Sequence, residues 1–291
     1  MLISTSHLIW KMVRSSIYFL SALVLTALLS CEQRQWYKKE FSVTEKEQLG
    51  PLLRRGRVYY YQGDVPEQFQ LKESMRMDST DADLWSEFGT SRVKRGILDE
   101  MYYFYGEAVK RKPEKWAGFR GYLYLYFYRD YERAIADFDL GDQANGQVDY
   151  SQGQNHDYMR GICYYGLKDN ISALESLNSY ISQVVEEEGE EWVDVYAFLY
   201  KGLALINLER YDEANKELDK ILKYYANLSD VFYHKARIFV ARGQFDLAHK
   251  ALDQAELYFR EGYYHQRPYV EVLEQIYLQD IQQLRSVISS S

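Results

Sequence analysis

Arg129 to Phe138 reads RDYERAIADF. Its acids Asp130, Glu132 and Asp137 admit a reading as paired carboxylates of an active site. Its other residues, Tyr131, Ala134 and Phe138, instead fall three and four apart, the spacing of an apolar stripe on a helix. Related stretches elsewhere in the chain decide between the two. Asp169–Asn178 is DNISALESLN, Arg210–Asp219 is RYDEANKELD, and Gln244–Asp253 is QFDLAHKALD. The stripe recurs as Asn170/Ala173/Leu177, Tyr211/Ala214/Leu218 and Phe245/Ala248/Leu252. The three acids do not recur as a set, since their slots hold Arg210, Asp212 and Glu217 in one relative and Gln244, Asp246 and Ala251 in another. General acid–base pairs must converge on a cleft. Acids this replaceable are expected on the outer face of a second helix or in its turn.

A second signal keeps step with the first. A small residue stands twelve positions before the Ala of the three related stretches: Gly161 before Ala173, Gly202 before Ala214, Ala236 before Ala248. From Ala214 to Ala248 is 34 residues, as from Gly202 to Ala236. Small residues allow paired helices to approach, and large ones fill the space between neighbouring pairs. The pattern resembles the tetratricopeptide repeat, a helix–turn–helix unit of 34 residues. The resemblance implies an all-α solenoid of about six repeats over residues 49–265. The first repeat is carried by Gly56, Tyr59 and Gly63, with Gln68 where Ala is expected. The second is carried by Trp85, Phe88, Gly89, Gly96, Ala108 and Pro113. Spacings of 39 residues from Ala134 to Ala173 and 41 from Ala173 to Ala214 read as loop insertions. Pro268 opens an amphipathic stretch expected to form a capping helix over 268–288, with Val270, Leu273, Ile276, Tyr277, Ile281 and Leu284 on one face.

The resemblance also implies a concave groove lined by first helices. Transferring its inward positions gives Arg57, Tyr60 and Tyr61 in the first repeat and Lys94 in the second. It gives Phe119, Tyr126 and Phe127 in the third, Tyr158 and Tyr165 in the fourth, and Tyr233 and Arg237 in the sixth. A groove this aromatic suits an extended peptide or an apolar helix; the same rings could instead pack between neighbouring helices. Groove families that clamp a terminal carboxylate place Asn at the ninth position, which here is Arg57, Thr90, Leu123, Ile162, Leu203 and Arg237, so that version is set aside.

The N-terminus reads as an address. Residues 17–29, IYFLSALVLTALL, are thirteen apolar or small residues without a charge, following Lys11 and Arg14. That run suits a signal-peptide core and is short for a membrane span. Its end, Leu28-Leu29-Ser30-Cys31, resembles the lipobox of bacterial lipoproteins. This implies cleavage after residue 30, lipidation of Cys31 and a polar tether over 31–48. An ordinary secretory signal or a short membrane anchor are the other readings, and a start at Met12 would give a more compact leader. Glu32 does not match the Asp that resembles an inner-membrane retention signal, which favours the outer membrane, facing the periplasm or the cell surface.

Composition narrows the function classes. The 291 residues are 47% hydrophobic and 27% charged, with four Pro, which suits a helical globular protein. Tyr is abundant, at 29 residues. Without residues 1–30 the 35 basic residues lose Lys11 and Arg14, leaving 33 against 43 acids and a net charge of −10. Such a surface repels nucleic acid, which is not expected as a partner. The histidines His156, His234, His249 and His265 stand apart without metal-ligand spacing, Cys163 reads as a small core residue, and no phosphate loop or nucleophile elbow occurs. No cofactor, metal or catalytic residue is expected. The acidic run 186–191 reads as a solvated loop, or as a docking site for a basic partner or calcium. The leading reading is a non-catalytic, membrane-anchored scaffold for a protein or peptide. The alternative is a glycan-binding lipoprotein that uses Trp36, Trp116 or Trp192 as stacking platforms.

Overall fold

The computed structural model describes residues 41–56, 60–97 and 99–289. Cys31, Trp36 and Arg57 lie outside the described residues. The described chain divides after Arg111 into two compact units.

The first unit holds four helices. Helix α1 (Val43–Gly56) opens on a capping box: the Ser42 hydroxyl accepts from the Glu45 amide, and the Glu45 carboxylate accepts from the Ser42 amide. Helices α2 (Val65–Met77), α3 (Ala82–Lys94) and α4 (Met101–Arg111) follow. Leu71, Met75, Trp85, Met101 and Tyr105 are fully buried between them. The Tyr105 hydroxyl meets Thr90 at 2.6 Å, which satisfies its polar tip inside the core.

The second unit stacks four helix pairs. The first pair is α5 (Pro113–Leu123), extended by a π-helical turn at Tyr124–Tyr128, and α6 (Tyr131–Asn145). The second is α7 (His156–Gly166) with α8 (Asn170–Glu187), and the third α9 (Val195–Asn207) with α10 (Tyr211–Tyr224). The fourth is α11 (Ser229–Ala241) with α12 (Phe245–Arg260), after which a non-helical segment, 261–277, leads to α13 (Leu278–Ser289). Ile281 and Ile288 of α13 cover Ala248, Ala251, Leu252 and Ala255, the open side of the last pair.

One geometric detail fixes the repeat register. The turn inside each pair contains one residue in the left-handed region: Gly63, Gly96, Arg129, Lys168, Glu209 and Gly243. Each stands five positions before its Ala slot, occupied by Gln68, Met101, Ala134, Ala173, Ala214 and Ala248. In the second unit the residue after it donates its amide back five positions in Asp169 to Tyr164, Arg210 to Leu205 and Gln244 to Phe239, and six in Asp130 to Tyr124, where the π-helical turn adds a residue. Six repeats are therefore present. The small position is sterically required at Gly161, where a Cβ would stand 2.5 Å from Leu177 Cγ.

Three expectations change. The helix expected from Pro268 begins only at Leu278. Tyr269 and Glu274 adopt positive φ, and the carbonyls of Glu271 and Leu273 accept from side chains, Arg129 and Tyr200, instead of from a helical turn. The insertions are not simple loops. The first extends α6 and forms a hairpin of β1 (Tyr150–Ser151) and β2 (Gln154–Asn155) in antiparallel register. The second extends α8, so Glu186 and Glu187 are helical, and Glu190 is engaged by Lys223 and Tyr224 at 3.1 and 3.0 Å. Finally, Asp137 is not on a solvated face. It is buried and bonded through both oxygens to Arg120 at 2.6 Å, whereas Asp130 caps α6 and Glu132 is exposed.

Candidate functional site

The first helices of the second unit present a continuous tyrosine surface, and the chain itself covers it. Residues 263–277 lead from α12 across this face as a non-helical strap and on to α13. At the start of the strap His265 stacks on Tyr196 with centroids 3.6 Å apart, and its amide donates to the Asp230 carboxylate at 2.9 Å. Arg267 reaches α5 and its π-helical turn. It donates to the Tyr122 hydroxyl and to Gln154 Oε1 at 3.1 Å each, with its guanidinium carbon 4.1 Å from the Tyr126 ring centroid. Glu271 then pairs with Arg129 at 2.9 Å, and the Tyr200 hydroxyl donates to the Leu273 carbonyl at 3.0 Å. Val272 and Ile276 are buried, while Tyr269 at the outer bend is 86% exposed. The X-Pro step at Arg267-Pro268 keeps Arg267 out of helical conformation, which is why the strap starts non-helical.

Electrostatics follow burial. Asp194 caps α9 through the Tyr196 amide; burial pushes its carboxyl above the ordinary range, a rise that the Tyr196 amide and the Arg267 charge oppose. Burial raises Asp230 to about 6, against the effect of the His265 amide. His265 is lowered to about 3 by burial and then by Arg267, and His234 is lowered by burial and by Arg237, so both rings are neutral near pH 7. Burial also pushes the Cys163 thiol far up, leaving it protonated and inert.

The residues expected in a groove separate into three groups. Tyr126, Tyr158 and Tyr165 are on the strapped face, and all three are buried, at 7%, 2% and 1% exposure. They do not line an open groove. Phe119, Phe127 and Tyr233 sit on the same helices half-buried, and Arg237 contacts the His234 ring at 3.2 Å. Tyr60, Tyr61 and Lys94 belong to the first unit, where Tyr61 is 86% exposed and Lys94 donates to Gln62 at 2.7 Å. That unit has its own cleft of 540 Å³, between Phe69, Phe88 and Phe104, with the Arg92 guanidinium 3.6 Å over Phe88 and paired to Glu100. Of the glycan candidates, Trp116 meets Phe119 edge-on at 88°, not as a planar platform, and Trp192 is 66% exposed.

Sequence reasoning missed Tyr122, Gln154, Asp194, Tyr196 and Arg267. The named groove residues stand four before, at, or three to four after the ninth position, whereas Tyr196 stands seven before Leu203, one helical turn further out, and so was passed over. Gln154 and Arg267 lie in irregular segments that carry no repeat signal.

A second polar cluster joins Ser151, His156 and Asp142. The Ser151 hydroxyl meets His156 Nε2 at 3.0 Å and His156 Nδ1 meets Asp142 at 2.5 Å, the connectivity of a serine nucleophile, base and orienting acid. Here it ties the hairpin to α6. A Cβ at Gly118 would fall 2.3 Å from the Ser151 hydroxyl and 2.4 Å from His156 Nε2, so α5 occupies the space in front of both atoms. Asp142 is also held by Arg160; burial raises its pKa, but His156 and Arg160 outweigh that and leave it below the ordinary range. Among the described residues no group of three His, Cys, Asp or Glu is placed to hold a metal. Nor is any described helix long and apolar enough to cross a membrane.

Comparison with solved structures gives consistent matches to one architecture. PilW, described as a widely conserved type IV pilus biogenesis factor, aligns at TM-score 0.57 and 14% identity, over 81% of this chain and 98% of that one. YrrB, a TPR protein with an unusual peptide-binding site, aligns at TM-score 0.50 and 19% identity, over 68% of this chain and 94% of that one. MamA from Desulfovibrio magneticus RS-1 aligns at 0.52 and 17%, over 62% and 96%. The fold is a tetratricopeptide-type helical solenoid. At these identities the likeness establishes the solenoid alone. No protein-family model matches the sequence, and no curated protein matches it. The strap and α13 are what the second unit adds to the repeats of its solenoid.

Proposed function

We propose that this chain is a non-catalytic scaffold that takes a non-helical polypeptide segment on the first-helix face of its second unit. The observation that carries the reading is the strap: fifteen residues of the chain, 263–277, cross that face as non-helical chain with a bend at 268–270 and a turn at 273–274. They are held by ring stacking, a seated guanidinium, the His265 amide donating to Asp230 and the Tyr200 hydroxyl donating to the Leu273 carbonyl. A surface that binds one such segment through these groups has the chemistry to bind another. The likeness to YrrB, whose description names a peptide-binding site, supports the same reading. Lipidation of Cys31 would hold the scaffold on a membrane of the cell envelope, favoured as the outer membrane, with 32–48 as its tether and its partner in an envelope complex.

Photoreactive residues placed at Phe119 and Tyr233, on the half-buried part of the first-helix face, test the reading in cells. Ile171 and Leu247 on second helices serve as controls. Adducts to one partner protein at the first-helix positions are expected. A partner captured only from Ile171 and Leu247 would place binding on the opposite face and overturn the proposal. Anchoring has a separate readout: Cys31→Ser is expected to move the protein from the membrane fraction to the soluble fraction, and retention in the membrane would refute lipid attachment at that residue.

A further inference from the structure

We propose that the face under the strap contains an arginine-reading subsite, formed by Tyr122, Tyr126 and Gln154, which the chain's own Arg267 fills and which an arginine in the partner's segment takes over when the strap is displaced. The inference rests on the peptide-scaffold reading above and specifies which side chain that peptide carries.

The geometry selects a guanidinium. Tyr126 offers its face at 4.1 Å and Tyr122 its ring at 5.5 Å, while the Tyr122 hydroxyl and Gln154 Oε1 accept at 3.1 Å from two different nitrogens of one group. A planar fork that stacks on a ring and donates in its own plane satisfies all four contacts; an ammonium, compact and more strongly hydrated, cannot do both. Gln154 also accepts from the Tyr126 hydroxyl at 2.9 Å, so the amide oxygen is fixed between ring and cation. The Arg267 charge also reaches the Asp194 carboxyl, where it opposes the rise caused by burial.

The strap is built as an occupant that can leave. It has only three buried side chains, His265, Val272 and Ile276, and its outer bend at Pro268 and Tyr269 is exposed. Glu271 pairs with Arg129 where both side chains are about half exposed, at 49% and 46%, so this contact adds little. Its hold comes from being tethered at both ends, which gives an effective concentration on the order of millimolar. A competing segment must overcome that tether, so partner affinity depends on how firmly Arg267 sits.

The test uses the full chain and a fluorescein-labelled peptide of its own sequence 263–277, followed by anisotropy. Wild type is expected to bind this peptide weakly, because its strap already occupies the seat. An Arg267→Ala chain, checked for wild-type circular dichroism, is expected to bind it roughly tenfold or more tightly than wild type does. The same peptide carrying Arg267→Ala or Arg267→Lys should bind that chain roughly tenfold more weakly. A chain with a protease site inserted at Tyr269 and cut after purification loosens the strap with Arg267 intact, and cutting it should raise peptide affinity as well. If the altered peptides bind as well as the original, the arginine subsite is wrong while the peptide groove stands. If neither opened chain binds any of the peptides, the subsite and the displaceable strap are both overturned, whatever partner the photoreactive residues capture.

Discussion

The two units treat the same kind of surface in opposite ways. In the first, the aromatic residues around the opening repeats stay open: Tyr61 is 86% exposed, Phe69 is 62% exposed, and Phe69 lines a cleft of 540 Å³. In the second, Tyr126, Tyr158, Tyr165 and Tyr200 reach 7% exposure or less. Repeat register does not account for the contrast, because both units place the left-handed residue five positions before the Ala slot. In the second unit the strap covers the face, with Arg267 on Tyr126 and the Leu273 carbonyl on the Tyr200 hydroxyl. In the first, Tyr61 stands in the turn after α1 and Phe69 on α2, the second helix of its pair, while Trp85 on the first helix α3 is buried.

The comparison can be sharpened by perturbing each unit. The largest effect is expected from Asp137→Ala, which leaves Arg120 inside the second unit without its carboxylate. Breaking a buried pair from one side costs about 3 kcal/mol or more, whereas Lys94→Ala, at an exposed contact to Gln62 in the first unit, should change stability by about 0.5 kcal/mol or less. Chemical denaturation of the two variants measures the difference. Equal losses would mean that the Arg120–Asp137 pair is not buried as described.

An intermediate effect is expected on acidification. His265 has an ordinary pKa of 6.5 in the unfolded chain and about 3 in place. The unfolded chain then binds the extra proton between those values, so stability is full above 6.5 and is lost as pH falls toward 3. At pH 5 the loss is about 2 kcal/mol for such a group. His234 acts in the same direction, and Asp230, raised to about 6, acts in the opposite direction between 3.8 and 6. His265→Phe keeps a ring against Tyr196 and the amide to Asp230 but removes this one titration. Its stability should therefore fall less than that of wild type between pH 7 and 5. An unchanged pH slope would show that the His265 ring is not held under cover. The smallest effect belongs to Tyr61→Ser, which should alter stability by about 0.5 kcal/mol or less, since the ring has little contact to lose. A larger loss would mean that Tyr61 is covered in solution.

The repeats were legible because their steric demands recur. Gly161 must be small to admit Leu177, and the same demand twelve residues upstream of each Ala marks every strong repeat. The surface chemistry was not legible to the same degree. Asp137 looked interchangeable with its counterparts in sister repeats, yet Arg120 in the preceding helix makes it a buried partner. Its counterpart Glu217 is likewise buried and paired at 3.0 Å with Lys201 of the preceding helix, while the same slot in the last pair holds Ala251, so residue type along one helix does not report the partner on the other. The segment after α12 shows the converse error. Val270, Leu273 and Ile276 have helical spacing, but a strap that buries Val272 and Ile276 against tyrosines also needs apolar residues at short intervals. What separates the two cases is Tyr269 and Glu274 in the left-handed region, which periodicity does not report. His156 stood alone in sequence, and its neighbours came from two elements, Ser151 from the hairpin and Asp142 from the end of α6.

The central claim is that the strap lies on the tyrosine face in solution, and the contact between Arg267 and Tyr126 tests it most directly. In a chain with selectively labelled arginine and tyrosine, proton NMR should show Arg267 side-chain resonances moved upfield by the Tyr126 ring, with cross-relaxation to Tyr122 and Tyr126 ring protons. Those shifts should return toward unstructured values in Tyr126→Leu. Arg267 resonances at unstructured values in the wild-type chain, without contacts to either ring, would contradict the account.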